Sequence, residues 1–233
     1  MPPRTLARVA GCLYLIVAVC AMVAVSVRSR MVVADAAATA DNIRASATLF
    51  RFGFVSDLVQ ATCFLLTAMA LYLLLRHVSR PVAAAMVTLV AVSVAIMCLN
   101  LLNQFVALSI ATGEEYSSAF GPAGADALTA LFADMQHNGF LIAQMFFGLW
   151  LLPLGYLVVR SGYVPKVLGV LLAAGGVGYL VDLFARFLAP GVAERISSFV
   201  LAPAVVGEVS FVAWLLVKSV RVPEPDAPVP ATA

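Results

Sequence analysis

Charge is what this sequence has least of: Asp, Glu, Lys and Arg make up 11% of its 233 residues, and the formal net charge is only +2. So small a balance, with the basic residues at the ends of apolar runs rather than in a patch, excludes a nucleic-acid-binding surface. The two histidines, His77 and His137, form no His-x-x-x-His pair, so no zinc site is spelled out. The four cysteines (Cys12, Cys20, Cys63 and Cys98) show no Cys-x-x-Cys spacing. Cys12 and Cys20 share one helix more than two turns apart, too far to bridge, and all four read as inert packing groups. No Gly-x-Ser-x-Gly elbow, phosphate loop or dinucleotide fingerprint occurs.

What is present is apolar. Hydrophobic residues are 63% of the chain, against about 45–50% in an average soluble domain, and the mean hydropathy is +1.03. Apolar runs longer than about 18 residues recur, the length that crosses a ~30 Å hydrocarbon layer as a helix. They are continuous rather than alternating, which excludes a transmembrane barrel. The expected fold class is therefore all-α, a polytopic bundle with spans at 6–27, 49–75, 82–111, 128–159, 167–189 and 197–217. One transmembrane domain is expected over 1–222, followed by a Pro-rich disordered tail over 223–233. The run at 6–27 is long for the core of a secretory signal and is read as a span. Asp35, Thr39, Asp41 and Asn42 predict a short surface helix in the first outer loop. The Gly, Ser and Pro of 113–125 predict an irregular second one.

Basic residues set the expected orientation. Arg4, Arg8, Arg76, Arg80, Arg160, Lys166, Lys218 and Arg221 flank alternate span ends. Asp35, Asp41, Glu114, Glu115, Asp126 and Glu194 gather at the opposite ends, together with Arg28, Arg30 and Arg44. The positive-inside rule then predicts both termini in the cytoplasm of a bacterial inner membrane.

Three carboxylates fall inside spans: Asp57, Asp182 and Glu208. A charge there costs roughly 2.5–3.5 kcal/mol on insertion scales, so such groups face an interior, a partner or a water-filled cavity. Other polar residues keep them company in the outer halves of the spans. Asn100, Asn103 and Gln104 share one helical face, as do Asp134, His137 and Asn138, with Gln144 farther along. The second span carries Arg51, Asp57 and Gln60; the fifth carries Tyr179, Asp182 and Arg186, the last two as an i, i+4 acid–base pair. One outward-facing polar chamber lined by the second to sixth spans accounts for this pattern. Its candidate ligand or ion-pathway residues are Glu208, Asp182, Asp57, His137, Arg186, Arg51, Asn103, Gln104, Asn138 and Asp134. The alternative is that each group merely snorkels or joins two helices by a hydrogen bond. With Arg51 and Arg186 set against three carboxylates, Glu208 is the one left without a cation. It is expected to be neutral, or ionised only beside a bound cation or ligand.

The run from Gly148 to Leu157, with Arg160-Ser161-Gly162 and Pro165 after it, resembles a bacterial membrane family known as domain of unknown function 4386. Gly11 with Tyr14-Leu15, Asn42-Ile43, Phe50-Arg51 with Gly53, Gly178-Tyr179 with Asp182, and Gly207-Glu208 extend the resemblance over nearly the whole chain. It implies a single six- or seven-helix domain and brings no activity with it. The leading functional reading is a non-enzymatic membrane protein whose chamber binds or passes a small polar ligand, cation or proton. The alternatives are an intramembrane metal-assisted hydrolase using His137 with Asp57, Asp182 or Glu208, and a structural or assembly role. The expected partners are the lipid bilayer and a small polar ligand or cation, with a homo-oligomer left open and no cofactor, bound metal or nucleic acid.

Overall fold

In the computed structural model, which describes residues 2–218 and 220, the apolar runs are helices. In chain order these are α1 (Pro3–Met31), α2 (Ala36–Ala45), α3 (Ala47–Leu75), α4 (Arg80–Thr112), α5 (Glu114–Phe120), α6 (Pro122–Ser161), α7 (Lys166–Leu188) and α8 (Pro190–Val217). Among the described residues all regular structure is helical. Six helices, all but α2 and α5, are long and apolar enough to cross a membrane. A hydrocarbon layer offers backbone groups no water, and the helix satisfies them internally. The chain is a polytopic all-α membrane protein. The tail expected over 223–233 lies outside the described residues.

The six long helices form a ring in the order α1, α3, α4, α6, α7, α8, and α8 returns to α1 at the most lightly packed seam. Small residues set the closest approaches. A Cβ placed on Gly148 of α6 would stand 2.9 Å from the Gly176 carbonyl oxygen of α7, and one on Gly176 would stand 2.7 Å from that of Gly148. On the other side of α7, Gly178 meets the Val200 carbonyl of α8 with no room for a methyl group. Such contacts replace the hydrophobic drive that lipid removes.

The ring has a proximal end, where α1 begins and the α3–α4 and α6–α7 turns lie, and a distal end that carries α2 and α5. At the distal end α2 starts where the sequence predicts, capped by Asp35, whose carboxylate accepts the Ala38 N–H at 2.7 Å. The expected irregular loop at 113–125 is instead mostly helix. Glu114 and Glu115 occupy the first turn of α5, a favourable end for negative charge. Gly121, at φ 73°, breaks the chain, and Pro122 opens α6. Pro190 likewise opens α8, ahead of the expected start at 197. Both prolines occupy first-turn positions, where the missing N–H costs nothing.

Apolar packing is layered. The main core fills the proximal half, built around Phe64, Leu71, Trp150, Leu154, Leu172 and Phe211. A smaller cluster of Val27, Met31, Ile43, Phe50 and Leu108 lies beneath α2 at the distal end. Buried Asp57, Gln60, Asn100, Gln104 and Gln136 sit between the two.

Candidate functional site

Three polar nodes occupy this intermediate layer. The first joins α1 to α3: Arg28, in the last turn of α1, donates from Nη1 to Asp57 Oδ2. Their side chains are 17% and 4% exposed, so this is a buried ion pair. The guanidinium also lies over the Phe140 ring of α6, 5.8 Å from its centroid, in a cation–π arrangement. Beside the pair is a cavity of ≈ 10 Å³ lined by Asp57, Met97, Asn100, Leu101, Gln136 and Phe140. That is space for about one water-sized species. Asn100 donates to the Gln136 carbonyl at 2.7 Å and accepts from the Asn103 amide at 3.0 Å, packing on Gly139 where any side chain would clash. Gln104 is buried near Gly53, and neither of its amide atoms has a hydrogen-bond partner among the described residues. Polar atoms buried without partners are uncommon in folded proteins.

The second node lies on α7 and α8. Arg186 Nε donates to Asp182 Oδ2 at 2.8 Å, and the Ser197 hydroxyl donates to Oδ1. Asp182 is 1% exposed, while Arg186 is 38% exposed at the distal rim. The i, i+4 pair read from the sequence is present, and Ser197 completes it.

The third node is Glu208 of α8, half-buried at mid-depth. It accepts from the Tyr14 hydroxyl of α1 at Oε2 and from the Tyr179 hydroxyl of α7, 3.2 Å away, at Oε1. No cation pairs with it among the described residues. An arc of aromatic rings runs from one tyrosine to the other. Tyr14 contacts Trp150 (5.8 Å between centroids), Trp150 meets Phe64 edge-on (5.1 Å), Phe64 stacks on Phe147 (4.6 Å), and Phe147 reaches Tyr179 (6.4 Å). The Trp150 indole N–H is buried within this arc without a hydrogen-bond partner among the described residues. Tyr179 and Asp182 are neighbours on one face of α7, which links the second and third nodes.

Not every candidate lies in this layer. Arg51 is exposed at the start of α3 and forms no ion pair among the described residues. Asp134, His137 and Asn138 share one face as expected, but it is the exposed face of α6; the buried face presents Thr129, Ala133 and Gln136. His137 therefore lies apart from the three nodes. No group of three or more His, Cys, Asp or Glu side chains that could hold a metal ion occurs among the described residues. The residues that sequence reasoning missed are Arg28, Tyr14, Gln136 and Ser197. Arg28 was missed because α1 continues four residues past the expected end at 27, which makes it a helical residue within reach of Asp57.

The chain belongs to the family described as Domain of unknown function (DUF4386), which matches residues 9–219. It is also similar to an Archaeoglobus fulgidus protein named only "Uncharacterized protein", being 39% identical over 83 residues that cover 36% of this chain and 48% of the archaeal one. The chain thus spans about half the length of that relative. No solved structure matches it.

Proposed function

We propose, since membership of this family brings no activity with it, that the protein binds and passes a proton or a small cation through the polar half of the bundle, with Glu208 as the exchanging group. The observation that carries this reading is the charge balance of the three nodes. Arg28 accompanies Asp57 and Arg186 accompanies Asp182, whereas Glu208 has two phenols and, among the described residues, no cation. A carboxylate at mid-depth is costly unless it is protonated or accompanied, and spare ionisable groups of this kind mark proton relays and ion paths. Each tyrosine hydroxyl both donates and accepts, so the pair can hold Glu208 in either protonation state. The ≈ 10 Å³ beside Asp57 supports a water-sized passenger over an organic one. The distal end is the outer face in this reading, because the basic residues of the proximal end favour the cytoplasm. The outward route from Glu208 follows Tyr179 to Asp182, with the α2 cap lying across the neighbouring distal end.

Reconstitution into liposomes loaded with a pH-sensitive dye tests the reading. An imposed proton gradient should decay faster than in protein-free vesicles. Glu208→Gln, which keeps the shape and the hydrogen bonding but cannot ionise, should remove that difference. Equal decay with the parent and with a folded Glu208→Gln protein would reduce Glu208 to a packing residue.

A further inference from the structure

At the proximal end, away from the three nodes, a cleft of ≈ 580 Å³ opens between the start of α1, the α3–α4 turn and the α6–α7 turn. Its polar rim carries two cations, Arg76 and Arg80, together with His77, and all three side chains are exposed. None of the three makes an ion pair among the described residues, and every described Asp and Glu lies at mid-depth or in the distal half. His77 is held in place, with Nδ1 2.9 Å from the Leu74 carbonyl and its ring 4.6 Å from that of Tyr163. A carbonyl only accepts, so Nδ1 carries the hydrogen of this contact. The rest of the lining is largely apolar: it includes Leu6 and Leu73, and Leu73 is 46% exposed on α3. The volume falls within the range of small-molecule sites.

Two arginines without ion-pair partners among the described residues, beside exposed apolar side chains at the end of a membrane-spanning bundle, match one chemistry, an anionic head on an apolar body. We propose that this cleft binds the phosphate of an anionic phospholipid from the proximal leaflet. Arg76 and Arg80 clamp its oxygens, and Leu6 and Leu73 meet the first carbons of its acyl chains. Arginine suits the role because its planar fork reaches two phosphate oxygens at once. The site is independent of any ion passage through Glu208.

Native mass spectrometry of the full chain in a mild detergent, offered equimolar phosphatidylglycerol and phosphatidylcholine, tests the assignment. The parent should retain one phosphatidylglycerol in preference. Arg76→Gln should weaken retention about 5-fold, and Arg76→Gln with Arg80→Gln about 30-fold, from the usual contribution of a basic residue near an anionic membrane. Arg160→Gln with Lys166→Gln removes the same charge from the same end without touching the cleft, and should leave retention unchanged. Equal weakening by the two double variants would mean diffuse surface charge and would overturn the site. Displacement of the lipid by inorganic phosphate alone would assign the cleft to a soluble anion and overturn the lipid occupant.

Discussion

Asp182 is enclosed while Arg186 reaches the rim, so the two ends of this pair differ in what their loss would cost. Asp182→Asn leaves the guanidinium partly solvated; Arg186→Gln leaves a carboxylate buried with neutral partners alone, the Ser197 hydroxyl and the Gln144 side chain. Breaking a fully buried pair costs about 3–5 kcal/mol, and the exposure of Arg186 puts this one at the lower end, about 3 kcal/mol for Arg186→Gln and less for Asp182→Asn. The double variant should recover part of the loss in a denaturation series; additive losses would show that the residues are not coupled. At Glu208 the phenols report on charge. A hydrogen bond to an ionised acceptor is worth about 1.5–3 kcal/mol, and one to a neutral acceptor about 0.5–1.5 kcal/mol. Tyr14→Phe should therefore cost more stability at high pH, where Glu208 gives up its proton, than at low pH, and the cost should not vary with pH in a Glu208→Gln background. A cost independent of pH in the parent as well would mean that Glu208 does not change its charge in the folded protein.

Helix packing predicts a sharp response on one face of α7. Gly178→Ala adds a methyl group against the Val200 carbonyl, a backbone atom that cannot turn aside. The substitution should lower stability by about 1–3 kcal/mol, the usual cost of overpacking, whereas Gly191→Ala, with open space around it, should change thermal unfolding far less. Similar melting shifts for the two would contradict the close α7–α8 approach. The α2 cap is tied down by Arg44, which donates to the Ala111 carbonyl at 2.9 Å and to Asp126 at 2.8 Å. Arg44→Ala should speed hydrogen exchange in 36–45 while leaving α3 protected. The long helices were legible because their apolar runs are unbroken, and α2 because Asp35, Thr39 and Asn42 all favour a helix start. The edges were less so. Arg28 read as loop because a charge normally ends an apolar run, and Pro122 and Pro190 read as turns although a first-turn proline suits a helix. The side of α6 that faces the bundle was hidden from periodicity alone. Asp134 and His137 define one face and Gln136 another, and only the neighbours α4 and α7 decide which is buried. The partnership of Glu208 with Tyr14 was out of reach of spacing, since the two residues stand at opposite ends of the chain.

The molecule as a whole sets a polar layer between a large apolar proximal core and a smaller apolar cluster at the distal end, and its direction in the membrane decides which side that layer lies nearer. Reporter fusions after Arg80 and after Lys166 should behave as cytoplasmic, and one after Glu115 as external; the reversed pattern would turn the polar layer towards the cytoplasm. The central claim, that Glu208 exchanges a proton within the bundle, is tested most directly by infrared difference spectroscopy of the protein in lipid nanodiscs during a pH titration. The account predicts a protonated-carboxyl band that appears and disappears with pH in the parent and is missing from Glu208→Gln. A band of the same amplitude in both proteins would assign the exchange to another carboxyl group and contradict the account.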